Sequence, residues 1–148
     1  MMMLRPHRHH LRIYYEDTDA AGIVYHSNYL KYAERARTEM MRDAGLEHRS
    51  LFEETGVTFA VRRCEVDYLA PARLDDRIEV ESRVVETSGA TLEVEQIVRC
   101  GSCDLARLRI TLACRSRDGR ATRLPPRLRA LFEREASTNQ PHKAEARE

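Results

Sequence analysis

The sequence predicts an α+β fold in which one long central helix is wrapped by a five- to six-stranded antiparallel sheet. Three observations predict it. Between about Asn28 and Ala44, apolar residues recur every three or four positions, as on one stripe of a helix. Four later segments alternate apolar and polar side chains, the period of half-buried strands. The helix is the one element long and apolar enough to cover the apolar face those strands would share.

The elements follow in chain order. Leu11, Ile13 and Tyr15 alternate with Arg12 and Tyr14 as a short first strand. The helical stripe is Tyr29, Ala33, Ala36, Met40 and Ala44, with Gly45 placed for a left-handed C-terminal cap. The two central alanines allow the helix to lie close against a sheet. Arg49 to Gly56 is expected to form one more short helix. Val57 to Tyr68 then alternates until Pro71. Ile78, Val80, Ser82 and Val84 mark the next strand, Leu92, Val94, Gln96 and Val98 another, and Ala106 to Cys114 a fourth. Thr87-Ser88-Gly89, Cys100-Gly101-Ser102 and Asp118-Gly119 are turn signals. Arg120 to Leu124 is expected as a last short strand, and Pro125-Pro126 opens a short helix carrying Leu128, Leu131 and Phe132. Tight turns between successive strands predict a meander.

Length and charge narrow the function classes. A chain of 148 residues is expected to form one domain, residues 1–136, followed by a polar, disordered tail at 137–148. Lys and Arg number 25 against 24 Asp and Glu, so the overall basic field of a nucleic-acid binder is missing. Trp is absent and aromatics make up 6%, leaving few surfaces for base stacking. Met1 to Leu4 is too short for a signal-peptide core, and no stretch approaches the roughly 20 apolar residues of a membrane span. The expected location is the cytoplasm, with the four cysteines as reduced thiols.

Two metal-like patterns are read as structure. Cys100-Gly101-Ser102-Cys103 has C-x-x-C spacing, but no second pair follows and the pattern sits at a hairpin tip. His7 to His10 lies in a terminal arm and reads as polar chain. No metal and no cofactor are expected.

The chemistry concentrates in the stretch from Tyr14 to Asn28. It passes from a strand through Glu16, Asp17 and Asp19, across Ala20-Ala21-Gly22, to the start of the long helix. Ser27 and Asn28 are capping candidates there. A helix N-terminus presents unpaired N–H groups and a partial positive charge, so a carbonyl oxygen held against it is polarised. A carboxylate beside that carbonyl can attack it or deprotonate a water that does. Acid plus helix N-terminus is thus a minimal apparatus for hydrolysing an activated acyl group. Asp-x-Asp before a helix is also a common turn-and-cap device, and spacing alone leaves both readings open. The further acids of a calcium loop are missing, and His26 by itself reads as a structural or capping residue.

The run Tyr15-Glu16-Asp17-Thr18-Asp19-Ala20-Ala21-Gly22-Ile23-Val24-Tyr25-His26-Ser27-Asn28-Tyr29-Leu30, continued by Glu34-Arg35-Ala36-Arg37, resembles the signature of the hotdog-fold acyl-CoA thioesterases. It is similar in particular to the 4-hydroxybenzoyl-CoA thioesterase family and its Tol–Pal-associated branch, over roughly Leu11 to Phe132. The resemblance implies a homodimer joined through sheet edges, or a homotetramer, with the active site at the subunit interface. It implies catalysis by Asp19 as nucleophile or general base, with Asp17 a supporting loop residue. The thioester carbonyl is implied to sit on the backbone N–H of His26, beside Tyr25 and Val24, with Gly22 and Asn28 also at the substrate. The His26 ring is implied either to bond the substrate or to orient Asp19. The substrate class implied is a short aliphatic or aromatic acyl-CoA, or an acylated acyl carrier protein. A turn that is basic in some family members reads Glu86-Thr87-Ser88-Gly89-Ala90 here. Contacts to CoA phosphates would then fall to others among Arg62, Arg63, Arg73 and Arg99. Two other readings compete with the thioesterase: a hotdog hydratase or dehydratase pairing His26 with Asp19, and a non-catalytic module that binds acyl-CoA or acyl carrier protein.

Overall fold

A computed structural model describes residues 6–138. Five strands, β1 (His7–Arg12), β2 (Thr58–Tyr68), β3 (Arg77–Ser88), β4 (Thr91–Cys100) and β5 (Cys103–Arg115), form one sheet. Its order is β1-β3-β4-β5-β2, antiparallel throughout. Three helices, α1 (Asn28–Asp43), α2 (His48–Thr55) and α3 (Pro126–Thr138), complete the described chain. The α+β expectation therefore holds, with five strands.

One face of the sheet is apolar because the alternating sets point the same way: Ile78, Val80 and Val84 of β3, Leu92, Val94 and Val98 of β4, and Leu108 and Ile110 of β5 are all buried. Helix α1 lies on that face through Tyr29, Tyr32, Ala33, Ala36 and Met40. Ala33 and Ala36 are fully buried, which lets the helix backbone approach the sheet. The approach is close enough for Gln96 Nε2 to donate to the Ala33 carbonyl at 2.9 Å. Gln96 also donates to Ser82 Oγ (2.9 Å) and accepts from Arg37 Nη1 (3.0 Å), so a polar spine crosses the core. Such groups are tolerated inside only when bonded to one another. Burial lowers the Arg37 pKa from its ordinary value, against the opposing field of Glu34.

Two expectations about connectivity change. The meander is real for β3, β4 and β5, but β2 pairs with β5 at the far edge and not with β3. The reason lies in the connecting segment. Leu69 and Ala70 donate to the Leu105 carbonyl, and Ala72 and Arg73 then run beside the loop before α1. The segment crosses the end of the sheet where a tight turn was expected. The expected strand at Arg120–Leu124 is reduced to one isolated bridge, Arg115 with Ala121. The Asp118-Gly119 turn itself forms, with Gly119 at φ 85. Cys100 and Cys103 do face each other across the β4–β5 tip, as free thiols.

Gly45 takes the left-handed conformation (φ 84) just past α1, as its position predicts. Helix α3 starts at Pro126 and buries Leu128 and Phe132. It continues through Ser137 and Thr138, the first residues of the expected tail. The remainder of that tail, residues 139–148, lies outside the described residues. Among the described residues no helix is long and apolar enough to cross a membrane.

Candidate functional site

The site begins where β1 ends. Ile13 is fully buried and tied to the segment before β3 by Ile13 N–H to Asp76 O (2.8 Å) and Asp75 N–H to Ile13 O (3.0 Å). A single 3-10 turn follows at Tyr15–Asp17, closed by the Asp17 carboxylate accepting the Tyr14 N–H at 2.7 Å. The chain then folds back on itself as a small hairpin. Thr18 pairs with Val24, Asp19 N–H donates to Ile23 O (2.8 Å), and Gly22 N–H donates to Asp19 O (2.9 Å). Gly22 sits at φ 79, a left-handed turn position that strains any residue with a Cβ.

Asp19 is at the tip of this hairpin and exposed. Its Oδ1 accepts the Ala21 N–H at 2.8 Å, which fixes the carboxylate. Its Oδ2 meets no donor among the described residues, so one oxygen is held ready and uncommitted. Asp17 serves the hairpin's base. Its carbonyl accepts both Tyr25 N–H (3.0 Å) and Asn28 Nδ2 (2.9 Å).

Helical geometry starts before α1 itself. Asn28 N–H donates to Tyr25 O (2.9 Å) and Tyr29 N–H to His26 O (3.4 Å), with Ser27 already in the right-handed region. Neither capping candidate caps: Ser27 makes no side-chain cap bond, and the Asn28 amide is turned to Asp17. The backbone N–H groups of His26 and Ser27 therefore have no acceptor among the described residues. They stand at the positive end of the α1 dipole.

The other expected site residues divide into two groups. Tyr25 and His26 are exposed and adjacent, with ring centroids 4.6 Å apart. Val24 is buried in the core and donates its N–H to Ala72 O at 2.9 Å. Asn28 is likewise committed to the loop. No hydrogen bond joins the His26 ring to Asp19 among the described residues, so an orienting role for that ring has no contact behind it.

One neighbour of these residues was not foreseen. Tyr68, at the end of β2, meets His26 edge-on at 6.0 Å between centroids and Tyr29 at 5.8 Å. Its alternation marked it as a strand residue, and nothing in the sequence links it to His26. Tyr29 accepts the Ala72 N–H on its hydroxyl at 3.0 Å; burial raises its phenol pKa, and that bond partly opposes the rise. Below it the Tyr32 hydroxyl is buried and meets no partner at hydrogen-bond distance among the described residues. Burial first, and then the field of Asp17, push the Tyr32 pKa well above the ordinary phenol value.

The four arginines separate cleanly. Arg99 is bonded to Glu81 and, at 3.1 Å, to Asp104, and Arg63 is bonded to Glu65 at 2.6 Å. The guanidinium groups of Arg62 and Arg73 have no carboxylate partner among the described residues, although the Arg73 N–H donates to Asp76 Oδ2 at 2.9 Å. Arg73 also pairs through its backbone with Ile23 in the Asp19 hairpin.

The model of the thioesterase-like superfamily matches residues 14–132. The chain belongs to that superfamily. The acyl-CoA thioesterase YbgC of Haemophilus influenzae is 42% identical over 104 residues, covering 70% of this chain and 76% of that protein. Among solved structures, a probable thioesterase from Bartonella henselae superposes with a TM-score of 0.78 at 32% identity, over 81% of this chain and 99% of its own. A Staphylococcus aureus protein solved in complex with CoA shares the fold with a TM-score of 0.84 at 15% identity, over 95% of this chain and 89% of its own. The superfamily resemblance and the hotdog architecture expected from the sequence are both met.

Proposed function

We propose that the protein is a cytoplasmic acyl-CoA thioesterase acting on short aliphatic or aromatic acyl groups carried on CoA, or on an acyl carrier protein, as a homodimer or homotetramer. Residues 1–136 act as one catalytic domain. The observation that carries the reading is the succession, within one loop, of a fixed carboxylate with a free oxygen and two unclaimed N–H donors at the helix start. The names of the H. influenzae and B. henselae relatives support the same reaction class.

In this reading the thioester carbonyl oxygen accepts the His26 N–H, with the Ser27 N–H beside it. Asp19 Oδ2 attacks the carbonyl carbon, the C–S bond breaks, and the thiolate leaves with a mixed anhydride on Asp19. Water then cleaves the anhydride to the free carboxylate and restored Asp19, while one proton goes to the thiolate and one to solvent. Alternatively, Asp19 takes a proton from a water that attacks the carbonyl directly, and the proton passes to the leaving thiolate. By either route negative charge develops on the carbonyl oxygen, where preorganised donors are worth about 3 kcal/mol each. Tyr25 and the His26 ring flank the acyl group, and Gly22 lets the turn approach it. Val24 and Asn28 act from behind by holding the loop. Arg73 is placed to meet a CoA phosphate.

The test is hydrolysis of a panel of short aliphatic, long aliphatic and aromatic acyl-CoAs by wild type and Asp19→Asn. Wild type is expected to cleave the short or aromatic members, and the amide variant to lose several powers of ten in kcat, being neither nucleophile nor base. An Asp19→Asn protein that is folded and fully active would sink the assignment.

A further inference from the structure

The hairpin fixes the free N–H groups of His26 and Ser27 from one side. The other side is formed by the end of β2 and the segment after it. Ala72 links two parts of the site at once: its carbonyl accepts the Val24 N–H (2.9 Å) and its N–H donates to the Tyr29 hydroxyl (3.0 Å). Tyr68 stands four residues earlier, in register with Ala106 of β5. Val66 and Tyr68 alternate toward the helix side of the sheet, opposite the buried Leu108 and Ala106. From there the Tyr68 ring reaches Tyr29 at an interplanar angle of 61° and His26 at 88°. Both are edge-on arrangements of the kind that aromatic quadrupoles favour. Tyr68 is nonetheless 49% exposed, so the core does not depend on it.

A half-exposed ring that bridges the first turn of a helix to the residue bearing a free donor is well placed to set that donor's direction. We propose that Tyr68 is a positioning residue: its ring holds His26, and through it the donor pair, in the geometry the thioester carbonyl requires. The inference rests on the thioesterase reading above. It acts through the ring and not through the hydroxyl, which makes no hydrogen bond among the described residues. It also makes the free-edge strand part of the catalytic support, since Tyr68 is the last residue of β2.

Two variants test this. Tyr68→Phe keeps the ring and removes the hydroxyl, and Tyr68→Leu keeps an apolar side chain and removes the ring, with Tyr68→Met as a second ringless protein. The Phe variant is expected to hold kcat within about twofold of wild type. The ringless variants should lose kcat roughly tenfold or more, as small misplacements of catalytic donors do, with KM little changed and the thermal midpoint retained. The amide and ring-proton NMR shifts of His26 are expected to move in Tyr68→Leu and stay in Tyr68→Phe. Full kcat in a ringless variant would overturn the proposal. So would a loss confined to KM, which marks a pocket wall, or an equal loss in Tyr68→Phe, which marks the hydroxyl. A wild type inert toward every acyl-CoA defeats the thioesterase reading. Unchanged His26 shifts in Tyr68→Leu defeat the proposal about Tyr68 separately.

Discussion

The two edges of the sheet are finished in opposite ways. β1 has six residues, and its exposed side is charged: Arg8 and His10 approach Glu79 at 3.5 and 3.2 Å. His7 Nε2 lies 2.7 Å from the Asp43 carboxylate in the last turn of α1, so a helix also covers the strand. A short, charged, covered strand is how proteins prevent edge-to-edge pairing. β2 has eleven residues, leaves Val61 54% and Tyr68 49% exposed on the helix side, and is bulged between Val61 and Arg63. Between it and α1 runs an open groove of about 290 Å³, lined in part by Leu30, Glu34, Val61 and Cys64. The contrast leaves β2 as the open edge among the described residues, and we propose it as the contact of the homodimer. It is also the edge whose last residue touches His26, which joins the proposed subunit contact to the proposed chemistry.

Breaking the β2 edge should have the largest effect. Val61→Lys places a charge in the groove, and a charge buried against a second copy without a partner is strongly unfavourable. We expect the mass on gel filtration to fall to that of a monomer and kcat/KM to drop by roughly a hundredfold, about 2.7 kcal/mol. His10→Lys on the β1 edge, the matching change, should alter neither. Equal mass and activity in both variants would remove the distinction between the edges.

The polar spine under α1 comes next. Gln96→Leu would leave the buried Arg37 guanidinium and the Ser82 hydroxyl without their partner, a loss of about 2 kcal/mol in unfolding free energy. Chemical denaturation measures it directly. Replacing both residues, Arg37→Met with Gln96→Leu, should recover much of the loss, because it removes the unpaired charge as well.

How far the sequence alone reaches is set by the range of the interactions involved. The α1 stripe, the Gly45 cap and the β3–β4–β5 hairpins were legible because their causes are local: period, cap and turn residues lie within a few positions of one another. The stretch around Asp19 reads as an acidic turn and a small-residue link to α1; that it closes as a hairpin with Gly22 at φ 79 was not foreseen. The placement of β2 was not legible. Leu69 and Ala70 bond the Leu105 carbonyl, and Arg73 pairs with Ile23, contacts that no local pattern announces. Tyr68 was hidden for the same reason. Arg37 lies off the apolar stripe of α1, and its burial goes with the long-range bond to Gln96, which no local pattern shows. The bonds of Val24 and Asn28 were not legible either, since the signature places both residues without saying what ties them down. They are held inward by Ala72 and Asp17.

A smaller effect is expected at Arg73. Arg73→Ala should raise KM for an acyl-CoA by about tenfold, the value of one charge-assisted contact to phosphate, with kcat unchanged. Arg99→Ala, on an arginine already held by Glu81 and Asp104, should leave KM alone and cost stability instead. Burial disfavours the charged form of Glu81, but the hydrogen bonds from Arg99 and Arg83 override it and hold that carboxyl below its ordinary range. A KM shift of equal size in both variants would reject Arg73 as the phosphate contact.

The smallest effect returns to the β1 edge. His9 faces α1, and burial lowers its pKa from the ordinary value, with His7, His10 and Arg35 adding to the fall and Glu39 opposing it. A histidine with a depressed folded pKa takes its proton more readily in the unfolded chain. Its contribution to stability is therefore complete above the unfolded value of about 6.5, and is lost as pH falls below that toward the folded pKa. His48, also lowered by burial and then by Arg37 and Arg42, acts in the same direction. Denaturation midpoints measured from pH 7.5 down to 5 should decline below about pH 6.5. His9→Gln should flatten that decline in part, because the amide has no proton to gain and can still occupy the space between β1 and α1. No change in slope would mean that the charged edge of β1 is held by His7, His10 and Arg8 without a contribution from the inward-facing histidine.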